Sequence, residues 1–232
     1  MSLLKIKFNV ARPEYSWADK PVPAISSLPQ WYKDMKPFAN SDKLVINAGD
    51  SNQTLKRCVP FLDAMGAGYY IPMWADVQVN QTEYGAMFNW TAKYDVIQMH
   101  PIEQIVGVEV PIGYEAVPYK FVNHYVVKTP PGYSTLFISP INRPDLPFMS
   151  MGGVVDTDKH PLSVHFPFFI KSGFEGTIER GTPMIQAIPF KRDEWESEFG
   201  SIDNIEVHHE EFRSYITRSY KKLGYWTRKI WQ

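Results

Sequence analysis

Apolar and polar residues alternate through two stretches in the second half of the chain: Leu162, Val164, Phe166 and Phe168, then Met184, Gln186, Ile188 and Phe190. That period of two is the period of half-buried strands. Between Gly153 and Phe190 it predicts a strand, a turn carrying Asp156 and Asp158, a second strand and a hairpin closed by glycine. The start of the chain alternates in the same way, with Leu4, Ile6, Phe8 and Val10 set against Lys5, Lys7 and Asn9, and reads as a strand rather than a signal peptide. Short apolar runs recur between turn signals from Gly66 onward: GYYIP, ADVQV, AMFNW, DVIQM, GVEVP, YKFVNHYVVK and YSTLFIS. Strands this short and this closely spaced predict a mainly β fold, a barrel or sandwich. PPGY, ending at Tyr133, is a turn signal feeding a strand from Ser134 to Ser139.

The flanks differ in character. Residues 11–43 are rich in proline and polar turns, broken by a short helical signal in LPQWYKDM that puts Trp31 and Met35 on one face. A strand near Leu44 to Ile46 leads into a helix over NQTLKRCVPFLDAM, capped by Thr54 and limited or kinked by Pro60. After Glu206, Phe212, Tyr215, Ile216, Ser219, Tyr220 and Leu223 recur at helical spacing, with acids near the start where the helix dipole favours them. The expected division is therefore an N-terminal strand, arm and short helices over 1–65, a β core over 66–192 and a C-terminal helix over 193–232.

Composition narrows the function. An apolar content of 44% supports a substantial core, and 24 Lys and Arg against 25 Asp and Glu argue against a nucleic-acid coat. The single cysteine, Cys58, excludes an internal disulfide framework, fits a reducing compartment and reads as a small buried apolar residue. No apolar run approaches the ~20 residues that span a bilayer, so no membrane partner is expected, and the Asn-x-Thr sequons at Asn52, Asn80 and Asn89 carry weight only in a secreted protein. Aromatics make up 15% of the chain, which favours broad contact surfaces as well as core. The last segment combines Arg218, Lys221, Lys222 and Arg228 with Trp226 and Trp231 and holds no acid after Phe212. That pattern marks these six residues as a partner-binding surface, for another protein subunit before nucleic acid, or as the solvated face of a docked amphipathic helix.

Metal and nucleophile chemistry find little support. His160 and His165 sit five apart on a predicted strand and face opposite sides, while His208 and Glu210 have no later histidine to complete a site, so no metal is expected. There is no Gly-x-Ser-x-Gly elbow, Walker loop or dinucleotide fingerprint. The carboxylate pairs Asp156 with Asp158 and Asp193 with Glu194 need a surrounding cleft before they mean acid–base work.

Ala67, Gly68, Tyr69, Tyr70 and Ile71, followed by Ala75, Asp76 and Val77, resemble the first motif of the dUTPase and dCTP deaminase family, whose small barrel is called a β-clip. Tyr70 stands where that family has an acid. Gly153 to Asp158 is similar to its third motif, with Lys159 replacing the tyrosine that packs on a deoxyribose. Ile178, Gly181, Thr182, Ile185, Gln186 and Ala187 resemble its fourth, and the glycine-rich fifth is absent. Arg143 falls near the place of the family's Arg-Ser-Ser motif, but Pro144 and Asp145 follow it. The resemblance implies that Asp156 orients a water against a nucleotide phosphate, with Tyr69, Tyr70, Arg143, Asp158, Lys159 and Gln186 around the ligand; the alternative is that Asp156 caps its own turn. It also implies a homotrimer, and magnesium only if nucleotides are hydrolysed.

The SLPQWYK, CVPFLDAMGAGY and NRPDLPF segments show a closer likeness to proteins of tailed bacteriophages and bacteria, which brings no activity with it. A host cytoplasm or a virion is the location that follows. The altered motif positions favour a non-catalytic β-clip protein, a structural or interaction module that needs no cofactor and contacts copies of itself or other subunits. The alternative is a nucleotide-binding or nucleotide-hydrolysing pyrophosphatase of dUTPase type, or a protein that sequesters a nucleotide.

Overall fold

The computed structural model describes residues 4–47 and 50–200. They form two compact units, one comprising the residues up to Pro29 with Ala64–Arg192, the other Gln30–Asp63 with the residues from Asp193. In chain order the strands of the described residues are β1 (Lys7–Val10), β2 (Val22–Pro23), β3 (Ile46–Asn47), β4 (Asp50–Ser51), β5 (Tyr69–Pro72), β6 (Val77–Thr82), β7 (Gly85–Asn89) and β8 (Ile97–Met99). They continue as β9 (Tyr119–Phe121), β10 (Tyr125–Lys128), β11 (Tyr133–Ile138), β12 (Phe148–Ser150), β13 (Gly153–Val155), β14 (Phe166–Ile170), β15 (Gly176–Ile178) and β16 (Pro183–Lys191). Two short α-helices, α1 (Gln30–Asp34) and α2 (Val59–Gly66), and a few 3-10 turns complete the elements.

The first unit is mainly β and wholly antiparallel. Its sheets run β13-β11-β16-β5-β2, β12-β14-β9-β8 and β15-β6-β7, with β1 and β10 as a separate pair, and none closes into a barrel. One core gathers side chains from every sheet, including Ile71, Val79, Ile97, Tyr125, Phe137, Phe148, Ile178 and Ile185. Its centre is aromatic. Phe121 on β9 and Phe168 on β14 stack with centroids 3.8 Å apart and planes 11° apart, and Phe148 on β12 meets both edge-on. Such ring pairs add to the burial of their area, and three neighbouring strands are joined through side chains as well as through their ladders.

Several expectations meet a different outcome. β1 pairs with β10 and β2 with β5, so the described residues up to Pro29 group with Ala64–Arg192 and not with Gln30–Asp63. GVEVP forms no strand. It follows a 3-10 turn over Ile102–Ile105, with Gly107 at φ 85° and the Val108 N–H donating back to Ile105 O, and it ends at Pro111, which has no N–H. Leu162 to His165 is also irregular: it follows Pro161, which lacks an N–H, and the Asn123 N–H opposite donates to the His165 side chain at Nδ1 instead of to a backbone carbonyl. His160 and His165 therefore share no strand. The predicted glycine-closed hairpin is absent too: β15 pairs with β6, whereas β16 pairs with β11 and β5. As a central strand β16 is buried on both faces from Pro183 to Ala187, which hides the alternation expected of a half-exposed strand.

PPGY forms the predicted turn, with the Tyr133 N–H donating to Pro130 O and Gly132 at φ 85°, the position that a type II turn reserves for glycine. Gly68, at φ 65°, is a second required glycine, because a Cβ there would lie 2.2 Å from Ala187 O. In the second unit Thr54 caps a 3-10 turn over Leu55–Arg57 by accepting from the Lys56 N–H, and the predicted single helix is split, with Pro60 in the first turn of α2. Tyr32, rather than Trp31 or Met35, is the buried residue of α1. Of the C-terminal helix expected over 193–232, residues 193–200 form no helix, and the rest lies outside the described residues.

Replacing Phe168 by alanine removes the fully buried centre of the stack. We expect a loss of roughly 3–5 kcal/mol, read as a lower urea midpoint at unchanged slope.

Candidate functional site

The turn after β13 is tied to the start of β11 and the end of β16. The N–H groups of Lys159 and His160 both donate to Asp156 O, which closes the turn, and Thr157 is buried beneath it with Oγ1 2.7 Å from Thr129 Oγ1 and 2.8 Å from Thr135 Oγ1. Above it, Arg192 gathers both carboxylates. Its Nη1 donates to Asp158 Oδ1 at 3.0 Å, to Asp156 Oδ1 at 3.1 Å and to Ser134 Oγ at 2.8 Å, and its Nη2 donates to Asp158 Oδ2 at 2.5 Å. Ser134 Oγ donates in turn to Asp156 Oδ1, and the Gly132 N–H donates to Asp158 Oδ2. The backbone supports this arrangement, since the Arg192 N–H donates to Gly132 O. Arg192 holds the Asp158 carboxyl below the usual carboxylate range, against the opposing effect of burial, with the Gly132 N–H adding to the pull. Sequence reasoning missed Arg192, which stands just past the alternating strand and belongs to no motif.

Asp156 faces an open cleft of about 760 Å³ lined also by Val154, Lys159, His160 and Ser163. The other residues placed by the resemblance are elsewhere. In the ladder of β11 with β16, Ser134 pairs with Phe190 and Ile138 with Gln186, so the Asp156 end and the Gln186 end lie four residues apart on β11, roughly 14 Å. Gln186 is fully buried and fully used: its Oε1 accepts from the Ile141 N–H, and its Nε2 donates to Ala64 O and Ala67 O. Tyr70, paired with Gln186 across β5, is buried with its hydroxyl donating to Met65 O, and burial raises its pKa against the lowering effect of Arg143. Arg143 is held by Asp145 through Nε at 2.9 Å and Nη2 at 2.7 Å. Tyr69 packs edge-on against Phe8. Residues Arg218, Lys221, Lys222, Trp226, Arg228 and Trp231 lie outside the described residues. Among the described residues no group of three or more His, Cys, Asp or Glu side chains is gathered for a metal.

A second site has no counterpart in the sequence reading. Trp17, from the loop after a 3-10 turn over Pro13–Tyr15, lies parallel to Tyr94 with 8° between planes and centroids 5.8 Å apart. Trp74, just past β5, meets Trp17 at 4.9 Å and points its indole N–H at Val122 O. These rings line a cleft of about 540 Å³ together with Asp76, Thr91, Lys93 and Arg180. His124 lies behind them in the break between β9 and β10, 4.2 Å from the Tyr15 ring and 4.7 Å from the Trp74 ring. The break is held by Asn123, whose side chain accepts from the Tyr125 N–H and donates to Tyr125 O and Val164 O. His124 is 3% exposed and its Nε2 has no partner. Burial first, then the neighbouring His165, pushes its pKa down to about 4, so the ring is neutral at pH 7.

No protein-family model, curated protein or solved structure matches the chain. The functional reading therefore rests on these two sites and on the surface around them.

Two pH effects follow. His124 is neutral when folded and ordinary, near 6.5, when unfolded, so its contribution is complete above that value and is lost as pH falls toward about 4. We expect the urea midpoint to drop over this interval by the equivalent of up to roughly 3 kcal/mol, and His124→Phe to flatten the slope. Asp158 acts lower on the scale. Its folded pKa lies below 3.8, so its contribution is present above that value and is lost as pH falls further. The melting temperature of Asp158→Asn should then fall less steeply with acid below about pH 4 than that of the parent.

Proposed function

We propose that this protein is a non-catalytic structural or interaction module on a β-clip-like scaffold of phage type; the resemblance implies the scaffold, and the altered motif positions favour the loss of catalysis. The observation that carries the reading is the commitment of the would-be site residues. Asp156 and Asp158 are both bound by Arg192, Arg143 is paired with Asp145, and Gln186 spends its amide on backbone groups. A nucleotide-cleaving site needs cations directed at phosphate oxygens and a carboxylate holding water, within reach of one another. Here the two arginines, Arg192 and Arg143, hold protein carboxylates and stand at separate ends of β11.

Exposed apolar side chains support the interaction role. Met99 at the end of β8 is followed by Ile102, Val106 and Ile112 in the segment after it, and Val106 and Ile112 are 82% and 102% exposed. Large uncovered apolar residues grouped along one segment favour contact with another subunit. In this reading that subunit is a second copy of the chain, and the trimer implied by the resemblance is the assembly to test.

The alternative, a nucleotide binder or hydrolase, draws on the open cleft beside Asp156 with Lys159 and His160 on its wall. The two readings separate in one set of measurements. We expect an oligomer by light scattering that Val106→Asp with Ile112→Asp converts to monomer, and no phosphate or pyrophosphate release from deoxynucleoside or ribonucleoside triphosphates with or without magnesium. Turnover abolished by Asp156→Asn would establish the enzyme instead, and a parent protein that is monomeric would remove the self-assembly reading.

A further inference from the structure

We propose that the cleft between Trp17, Trp74 and Tyr94 binds a neutral saccharide. The proposal does not depend on the reading of the carboxylate turn. Trp17 is 43% exposed, and Trp74, 4% exposed, lines the same cleft in contact with it. The Trp74 N–H is turned away to Val122 O, so that ring lines the cleft as an aromatic surface with its polar atom already satisfied. An aromatic ring presents a negative face, and the C–H groups on one side of a pyranose, polarised by their neighbouring oxygens, are its complement.

The polar groups that line the cleft beside the rings select against other aromatic-seeking ligands. Asp76 Oδ1 accepts from the Arg180 N–H at 2.7 Å, and the remaining lone pairs of this carboxylate stay open to a hydroxyl donor. The Arg180 guanidinium is held on two sides by Asp19, Nε to Oδ2 at 2.5 Å and Nη2 to Oδ1 at 2.8 Å, which leaves Nη1 to donate to a ligand. Lys93 stands 5.7 Å from the Tyr94 centroid at the rim. Asp76 lines the cleft with Lys93 and Arg180, and Asp19, outside the lining, neutralises Arg180, so the charges balance once this ion pair is counted. A phosphate or carboxylate would meet Asp76 as well as Lys93, and a quaternary ammonium would meet Lys93 as well as Asp76. A ligand with adjacent hydroxyls and one apolar face meets both the donor and the acceptor at no electrostatic cost. The volume of about 540 Å³ lies within the range of small-molecule sites and holds more than one pyranose ring.

The test is a tryptophan-fluorescence titration of the full chain with the neutral oligosaccharides maltotriose and chitotriose, with uridine monophosphate and choline as charged comparators, beside an array of neutral glycans. We expect a saturable response to at least one neutral glycan that persists in ~0.5 M salt, where charge-driven binding is screened. Trp17→Ala should weaken it about tenfold or more and Trp17→Phe less, since a ring remains. Asp76→Asn guards against a folding artefact, because it keeps an oxygen for the Arg180 N–H; it should also weaken glycan binding while leaving the melting temperature near that of the parent. Binding of uridine monophosphate or choline in place of glycans, no response to any glycan on the array, or glycan binding indifferent to both Trp17→Ala and Asp76→Asn would each overturn the proposal.

Discussion

The six registered pairs that join β11 to β16 constrain nearly everything else in the sheet unit. β11 carries β13 on its other edge and β16 carries β5, so the pairing sets the middle of the five-stranded sheet and the position of each turn around it. At the Tyr133 end it brings Arg192 over the turn that holds Asp156 and Asp158. At the Ile138 end it buries Gln186 beneath the entry to β5. Ladder spacing is fixed, so groups at the two ends cannot close on one small ligand without breaking the sheet.

Asp158 is 6% exposed, and its pair with Arg192 carries the acid dependence of stability. The Arg192–Asp156 pair matters more for position, because Arg192 is 31% exposed and Asp156 53%, and a pair so open to water contributes little to folding. Its consequence is chemical. A carboxylate that accepts from a guanidinium and a serine hydroxyl is oriented by the protein, and the cation beside it is unavailable to a phosphate. Thr157 shows that the turn is a packing element as well, since its hydroxyl is shared beneath the sheet by Thr129 and Thr135.

The aromatic cleft follows another logic. Its rings come from the loop after β1, the end of β5 and the loop before β8, and they meet around a histidine kept neutral by burial. Tyr15, Trp17 and Trp74 surround His124, and the Tyr125 hydroxyl donates to Ala18 O beside them. The N-terminal segment is thereby part of the wall of this cleft and part of the sheet unit's hydrogen bonding at once.

Local pattern was enough to reveal the mainly β character, the PPGY turn, the Thr54 cap and the first strand, because period, turn chemistry and capping act over a few residues. It was not enough for pairing. β15 and β16 read as a hairpin, yet Gly181 and Thr182 bond back to the segment after β5, and each strand joins a different sheet. Nor could it reveal that Gln186 is a buried bridge between backbone groups, that Arg192 reaches back to Asp156 and Asp158, or that Trp17, Trp74, Tyr94 and His124 share one place. Those relations join residues far apart in the chain, where no spacing rule operates. They exist only once the strands have paired and the core has closed, since long-range contacts are decided by the packing of whole sheets rather than by the preference of any one segment.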